Sequence, residues 1–274
     1  MKKTWKAIAL AGLMSVSMVG CGPEPTSNTE AKTAGEPGVS GTEATKTSQT
    51  QGTKASQTQA PKETEGGLNG TVGDFEFSNN KLTRYKGEDE TVVIPDGVTE
   101  IDSFAFIRNS KITTVVIPDS VTAINGNAFQ ECSALDNVVI PSSVTKIKTE
   151  VFTWCTSLKS IEIPDSVTEI GNDTFFGCKS LTSIKIPKGV TRIEKNLFYG
   201  CNSLTEVELP ANATSIGEEA FCGCLALTEL EIPASVTEIG KDAFKDCPNL
   251  TVTVAAGSYA EQYCKNNGVK YTTK

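Results

Sequence analysis

Nine cysteines, a surplus of carboxylates and no histidine bound the chemistry open to this 274-residue chain. Without histidine there is no imidazole base, no histidine-containing triad and no mixed cysteine–histidine zinc site. Six cysteines, Cys132, Cys155, Cys178, Cys201, Cys224 and Cys247, recur at one fixed spacing, while Cys222 and Cys264 stand outside that series. Equal spacing stacks the six side chains in a column with parallel Cα–Cβ vectors, which suits disulfide geometry poorly and small buried thiols well. Cys222 and Cys264 are therefore the thiols expected to be exposed or paired. Cys222 and Cys224 lie too close together to serve as paired metal ligands, so no metal is expected. Carboxylates gather at Glu206, Glu208, Glu229 and Glu231, where they hold a cation, meet a basic partner or simply face water. No constellation supports catalysis, and neither an enzyme nor a cofactor is expected.

The elements that position these residues follow from a repeat. Prolines at 95, 118, 141, 164, 187, 210 and 233 keep a constant 23-residue step, as do the phenylalanines at 106, 129, 152, 175, 198, 221 and 244. Isoleucines at 101, 124, 147, 170, 193, 216 and 239 form a third unbroken series, and Asn109 takes the cysteine slot in the first unit. A fixed period of this size denotes a solenoid, in which each coil buries its apolar face against its neighbours. In the unit beginning at Leu181, Ile184 and Ile186 alternate with Ser183 and Lys185, the pattern of a strand with one buried face. Pro187 ends the pairing for want of an N–H, Val190 to Ile193 form a second short extended segment, and Asn196 to Cys201 turn the chain back. Translation stacks such strands into a parallel sheet about 4.8 Å apart, with the phenylalanines as the spine of the core. The predicted fold is a β-rich solenoid of about seven 23-residue coils over residues 91–250. Residues 68–90 and 251–274 are expected to cap its ends, where an open coil would expose apolar surface and strand edges.

The unit Leu-x-x-Ile-x-Ile-Pro-x-x-Val-Thr-x-Ile-Gly-x-x-Ala-Phe-x-x-Cys resembles the 23-residue leucine-rich repeat of BspA-type bacterial surface proteins. The stretch from Leu227 to Cys247 matches every consensus position, and the resemblance runs from Val92 to Leu250. The segment Gly257-Ser258-Tyr259-Ala260-Glu261-Gln262-Tyr263 is similar to the short closing helix of such arrays. The right-handed β-helix of polysaccharide lyases is the rival solenoid, but the proline and Ala-Phe-x-x-Cys positions fit the leucine-rich repeat. Such a resemblance implies a cell-surface adhesin or protein-binding module that attaches to host matrix proteins or to other bacteria.

With the periodic residues in the scaffold, function falls to the exposed columns. One strand position carries Val93, Val116, Val139, Glu162, Lys185, Glu208 and Glu231, and a second on the same face carries Thr114, Asn137, Ser160, Ser183, Glu206 and Glu229. The three valines form an apolar strip on an otherwise polar sheet, either a partner site or a patch covered by the N-terminal cap. A threonine column, Thr99, Thr122, Thr145, Thr168, Thr191, Thr214 and Thr237, is explained by β-propensity and hydroxyl pairing.

Residues 1–20 read as an address: Lys2, Lys3 and Lys6 precede an apolar run from Ala7 to Val19, too short to span a bilayer and suited to a signal peptide. Met18-Val19-Gly20-Cys21 resembles the lipobox of bacterial lipoproteins, which implies diacylation of Cys21 and a protein exported and held at the membrane by lipid. Residues 21–67 lack aromatics and have Val39 as their one large aliphatic, the composition of a disordered tether. Loss of the leader's three lysines moves the formal charge from −8 to −11, and with arginine only at 84, 108 and 192 nucleic acid is excluded as a partner. The expected role is a surface-anchored protein-binding or adhesion module with an extracellular or host protein as partner. The alternatives are a carbohydrate-binding surface protein, which needs exposed aromatics on one column, and a passive spacer or antigenic coat. Trp154 and Tyr199 are the thin candidates for the former, beside the phenylalanine turn rather than on the strand face.

Overall fold

A computed structural model describes residues 67–274. The expected leader, the Cys21 acylation site and the tether up to residue 66 lie outside the described residues. Each 23-residue coil makes three rows along the solenoid: a strand, a second two-residue strand and a tight turn carrying the phenylalanine. The first row holds Thr91–Val93, Thr114–Val116, Asn137–Val139, Ser183–Lys185, Glu206–Glu208 and Glu229–Glu231, with Ser160 of the fourth coil joined to Ser183 by a single bridge. The second row runs from Glu100–Ile101 to Glu238–Ile239, all parallel. Coils are numbered one to seven by these first-row strands. The strand Thr251–Val254 adds an incomplete eighth turn beyond the seven expected, and because Glu229 pairs with Thr251, the period slips there by one residue.

The alternation in the sequence sets which side faces in. Val92, Val115, Val138, Ile184 and Leu230 are buried at the centre of first-row strands, whose flanking residues face outward. From Pro118 to Pro233, each proline carbonyl accepts the N–H three residues on at 2.9–3.1 Å, so the residue that stops the strand also starts the turn. The phenylalanine rings stack with centroids 4.8–5.8 Å apart and planes within 27° of parallel. Each turn is locked to the next coil, as where Phe129 N–H donates to Val151 O at 2.9 Å and Phe152 N–H to Thr174 O at 2.9 Å. In the column from Thr99 to Thr237, the hydroxyls of Thr122, Thr145, Thr168, Thr214 and Thr237 donate to the carbonyl of the threonine one coil earlier at 3.1–3.5 Å, sharing it with the backbone N–H.

Aromatic residues close both ends of the spine. At the start, β1 (Gly70–Val72), β2 (Phe75–Ser78) and β3 (Lys81–Tyr85) form an antiparallel meander, and β3 then pairs in parallel with Glu100–Ile101. Asn79 and Asn80, both at positive φ, supply the tight hairpin turn between β2 and β3. Tyr85 stands 5.5 Å from Phe106, continuing the stack into Phe75 and Phe77. At the other end α1 (Tyr259–Asn267) is capped by Ser258, whose hydroxyl accepts from Glu261 N–H at 3.2 Å, and stops at Gly268 in the left-handed conformation. Tyr263 of α1 meets Phe244 edge-on at 6.0 Å and donates its hydroxyl to Gly240 O at 3.0 Å.

The ladders are not continuous. Among the described residues the first row is unpaired between coils three and four and between coils six and seven, and the second row is unpaired between coils four and five. The phenylalanine turns bond across every one of these steps.

The cysteine column is buried and its thiols are free. Each thiol donates to the carbonyl of the phenylalanine one coil earlier at 3.0–3.3 Å, a carbonyl that also accepts a backbone N–H from its own coil. Asn109 fills the slot in coil one by accepting from Lys111 N–H and Ile112 N–H and donating to Gly87 O. The expectation that Cys222 and Cys264 are exposed or paired is corrected: both are free and buried, Cys222 against the aromatic row outside the turn and Cys264 on the inner side of α1. Cys247, in the last coil of the column, is the half-exposed thiol, since no further coil covers it.

Candidate functional site

The face formed by the outward residues of the first row has two halves of different character. In coils one to three, Thr91, Thr114 and Asn137 lie in register, as do Val93, Val116 and Val139. Val93 is 62 % and Val139 48 % exposed, with Val116 between them half-buried. The meander pairs with the second row, and it leaves the valines open. Coil four follows with exposed Glu162, beyond the break in the ladder.

Coils five to seven carry the charge. Lys185 pairs with Glu208 at 2.7 Å across a closed ladder, and the carboxylate raises the lysine above its ordinary range through that hydrogen bond and its charge. Glu231 pairs with Lys274 from the C-terminal end. Glu206 and Glu229 have no ion-pair partner among the described residues, and their strands lie adjacent without ladder bonds. Like charges opposite one another on neighbouring strands oppose pairing, which accounts for the opening. No group of three or more acidic or cysteine side chains among the described residues is placed to hold a metal ion. The face therefore combines an apolar strip with an acidic patch partly balanced by lysines, and it holds no reactive pair.

A second patch escapes strand-based reading because it sits on the turn row. Trp154 meets Phe176 edge-on at 5.4 Å, and Phe176 stacks on Tyr199 at 4.6 Å with planes 1° apart. Neighbouring coils place Arg108 against Glu131 through two hydrogen bonds of 3.0 and 3.3 Å. The sequence signal lies in one column read across coils: Arg108, Glu131 and Trp154, then Gly177, Gly200 and Gly223. A separate hollow of about 530 Å³ lies between the last coil and α1 beside Cys247, and is the seam of the C-terminal cap.

Comparison with known proteins follows this architecture. A family model described as "BspA type Leucine rich repeat region" matches in six copies over residues 70–194 and 124–251. Among solved structures, a leucine-rich cell surface protein from Faecalibacterium prausnitzii is 38 % identical, with a TM-score of 0.63, over 67 % of this chain and 54 % of that one. The chain thus spans about half the length of that relative. The leucine-rich repeat protein TpLRR of T. pallidum is 28 % identical over 58 % of this chain and 91 % of that one, with a TM-score of 0.47. Among proteins with curated descriptions, none matches significantly.

Proposed function

Since the chain belongs to the BspA-type leucine-rich-repeat family, a family of bacterial solenoids suited to protein binding, we propose that it displays its first-row face at the cell surface to capture an extracellular or host protein. Solenoids of this kind work through extended surfaces rather than pockets, and leucine-rich-repeat solenoids are typically non-catalytic. The observation that carries the reading is the strip of Val93, Val116 and Val139, aligned in register and open to solvent on an otherwise polar sheet. Surface display is supported by the name of the Faecalibacterium relative and by the leader and Cys21, which fit lipid anchoring at the membrane.

The test is capture of the full-length protein on immobilised fibronectin, laminin and type I collagen. Wild type is expected to bind at least one. The double substitution Val93→Glu/Val139→Glu puts two carboxylates into the strip and should weaken capture at least about tenfold, roughly 1.4 kcal/mol. Binding that survives the double substitution, or no capture on any of the three, rejects the reading. In cell fractionation, Cys21→Ser should move the protein from the membrane to the soluble fraction; continued sedimentation with membranes removes the lipid anchor from the proposal.

A further inference from the structure

Seven residues share one turn position along the solenoid, and all seven have positive φ: Arg108, Glu131 and Trp154 at 59°, glycines at 177, 200 and 223, and Asp246 at 56°. Glycine takes this conformation without cost, and a bulky side chain takes it at about 1–2 kcal/mol. Coils four to six use glycine; coils one to three carry three large side chains side by side instead. Strain kept at adjacent positions, where a costless residue occurs in the same fold, points to a role for those side chains.

The three surround a shallow depression of about 540 Å³ completed by Ser110, Ser133 and Thr156, one hydroxyl per coil. Trp154 is its wall. Coil four packs against the indole with Phe176 at its edge, Gly177 beneath it and Lys179 Nζ 5.4 Å from the ring centroid. Gly177 is required for this packing, because a Cβ there would lie 2.6 Å from the ring. The remaining depression residues, save Thr156 of Trp154's own coil, come from coils one and two, and Trp154 is 40 % exposed. Among the described residues the hydroxyls of Ser110 and Ser133 make no hydrogen bond, whereas Thr156 donates to Ser133 O at 3.3 Å. The Arg108 guanidinium is already neutralised by its twofold bond to Glu131.

We propose that this corner is a binding site for a neutral hexopyranose chain, distinct from the first-row face and independent of the protein-capture reading. An indole wall offers its π face to the apolar C–H face of a pyranose ring. Free hydroxyls and a carboxylate–guanidinium pair supply donors and acceptors for sugar hydroxyls, the few convergent polar groups that fix orientation. Among the residues that line the depression the guanidinium is the one cation, and it is paired, which favours a neutral sugar over a uronic acid or a phosphate. The three residues recur once per coil, at a rise of about 4.8 Å, so successive sugar units would meet a hydroxyl-bearing residue on successive coils.

Affinity electrophoresis of the full-length protein in native gels containing hydroxyethylcellulose, laminarin or galactomannan tests the proposal. At least one of these neutral polysaccharides should retard the wild type. Trp154→Gly installs the residue that coils four to six use at the same φ, so the variant keeps its fold, as circular dichroism should verify, and should bind at least about tenfold more weakly. Trp154→Phe, which keeps an aromatic wall, should recover part of the retardation. Val93→Glu/Val139→Glu should be retarded like wild type, and Trp154→Gly should still be captured by the matrix protein, so either reading can fail alone. Retardation unchanged in Trp154→Gly overturns the proposal, as does no retardation in any of the three gels. Loss of matrix-protein capture in Trp154→Gly without any polysaccharide binding assigns the corner to a protein partner and overturns it equally.

Discussion

A thiol sealed inside a coil is kept neutral by the same desolvation that lets it fill the turn. Burial pushes Cys132 up to about 12 and Cys222 up to about 11 from an ordinary 9.0, and raises Cys155, Cys178 and Cys201 as well. The unfolded chain releases these protons near pH 9 while the folded chain retains them, so above pH 9 the folded state binds more protons. Their contribution is therefore intact below pH 9 and is lost as pH rises from 9 toward 12. Denaturant midpoints taken with a reductant present should be level up to about pH 9 and then fall; a level profile to about pH 11 contradicts this account. Backbone strain is also local to single residues. Phe104 is 48 % exposed at φ 65°, in a position where Asn127 and Asn196 occur in other coils. Phe104→Asn relieves a left-handed bulky residue at little loss of burial and should raise stability by about 1 kcal/mol, read as a higher thermal midpoint. A lower midpoint would mean that the ring packs better than its exposure implies.

At the scale of the element, the ladder responds to what lies opposite on the next strand. Lys185 faces Glu208 and the strands pair; Glu206 faces Glu229 and they do not. Glu229→Lys sets a cation against Glu206 and should stabilise the fold by about 0.2–1 kcal/mol, a gain that shrinks at high salt. If the thermal midpoint of Glu229→Lys does not rise at low salt, repulsion is not what holds this step open. This local chemistry marks the limit of what the sequence reveals. The two strands, the proline stop, the phenylalanine spine and the buried thiol column were legible because each depends on one residue type recurring at a constant step. The exposure of Val93 and Val139 followed from the same alternation. The ladder breaks depend on pairs of residues in different coils, and the break after Val139, where valine faces glutamate, has no such charge explanation. Cys222 and Cys264 were misread because leaving the column was taken as leaving the interior. Trp154 was legible as a thin candidate for sugar binding, but not its surroundings, because Phe176, which meets it edge-on, looks like part of the spine and occupies a neighbouring column.

Across the whole molecule, cohesion depends on which of the three rows bridge each step. Coils one to three are joined along all three rows, by strands in the first and second and by the phenylalanine turns. Coil four lacks first-row pairing to coil three and second-row pairing to coil five, so the turns and the stacked rings carry more of the coupling there. A solenoid's stability is approximately a sum of coil and nearest-neighbour terms, and one weakened step uncouples the two ends. Phe175→Ala and Phe129→Ala remove the same atoms from fully buried sites and should each cost about 3–5 kcal/mol. Their unfolding should differ in form. Phe129→Ala lies between steps with every row closed and should shift a single cooperative transition to lower denaturant. Phe175→Ala opens a cavity where the backbone ladder is already interrupted, and should broaden the transition or split it in two. The two halves can be followed separately, by exchange of the amide protons of the N-terminal coils and by exchange of those of the C-terminal coils and α1. Coincident curves from both probes in Phe175→Ala would show that coupling across coil four does not depend on the ring stack.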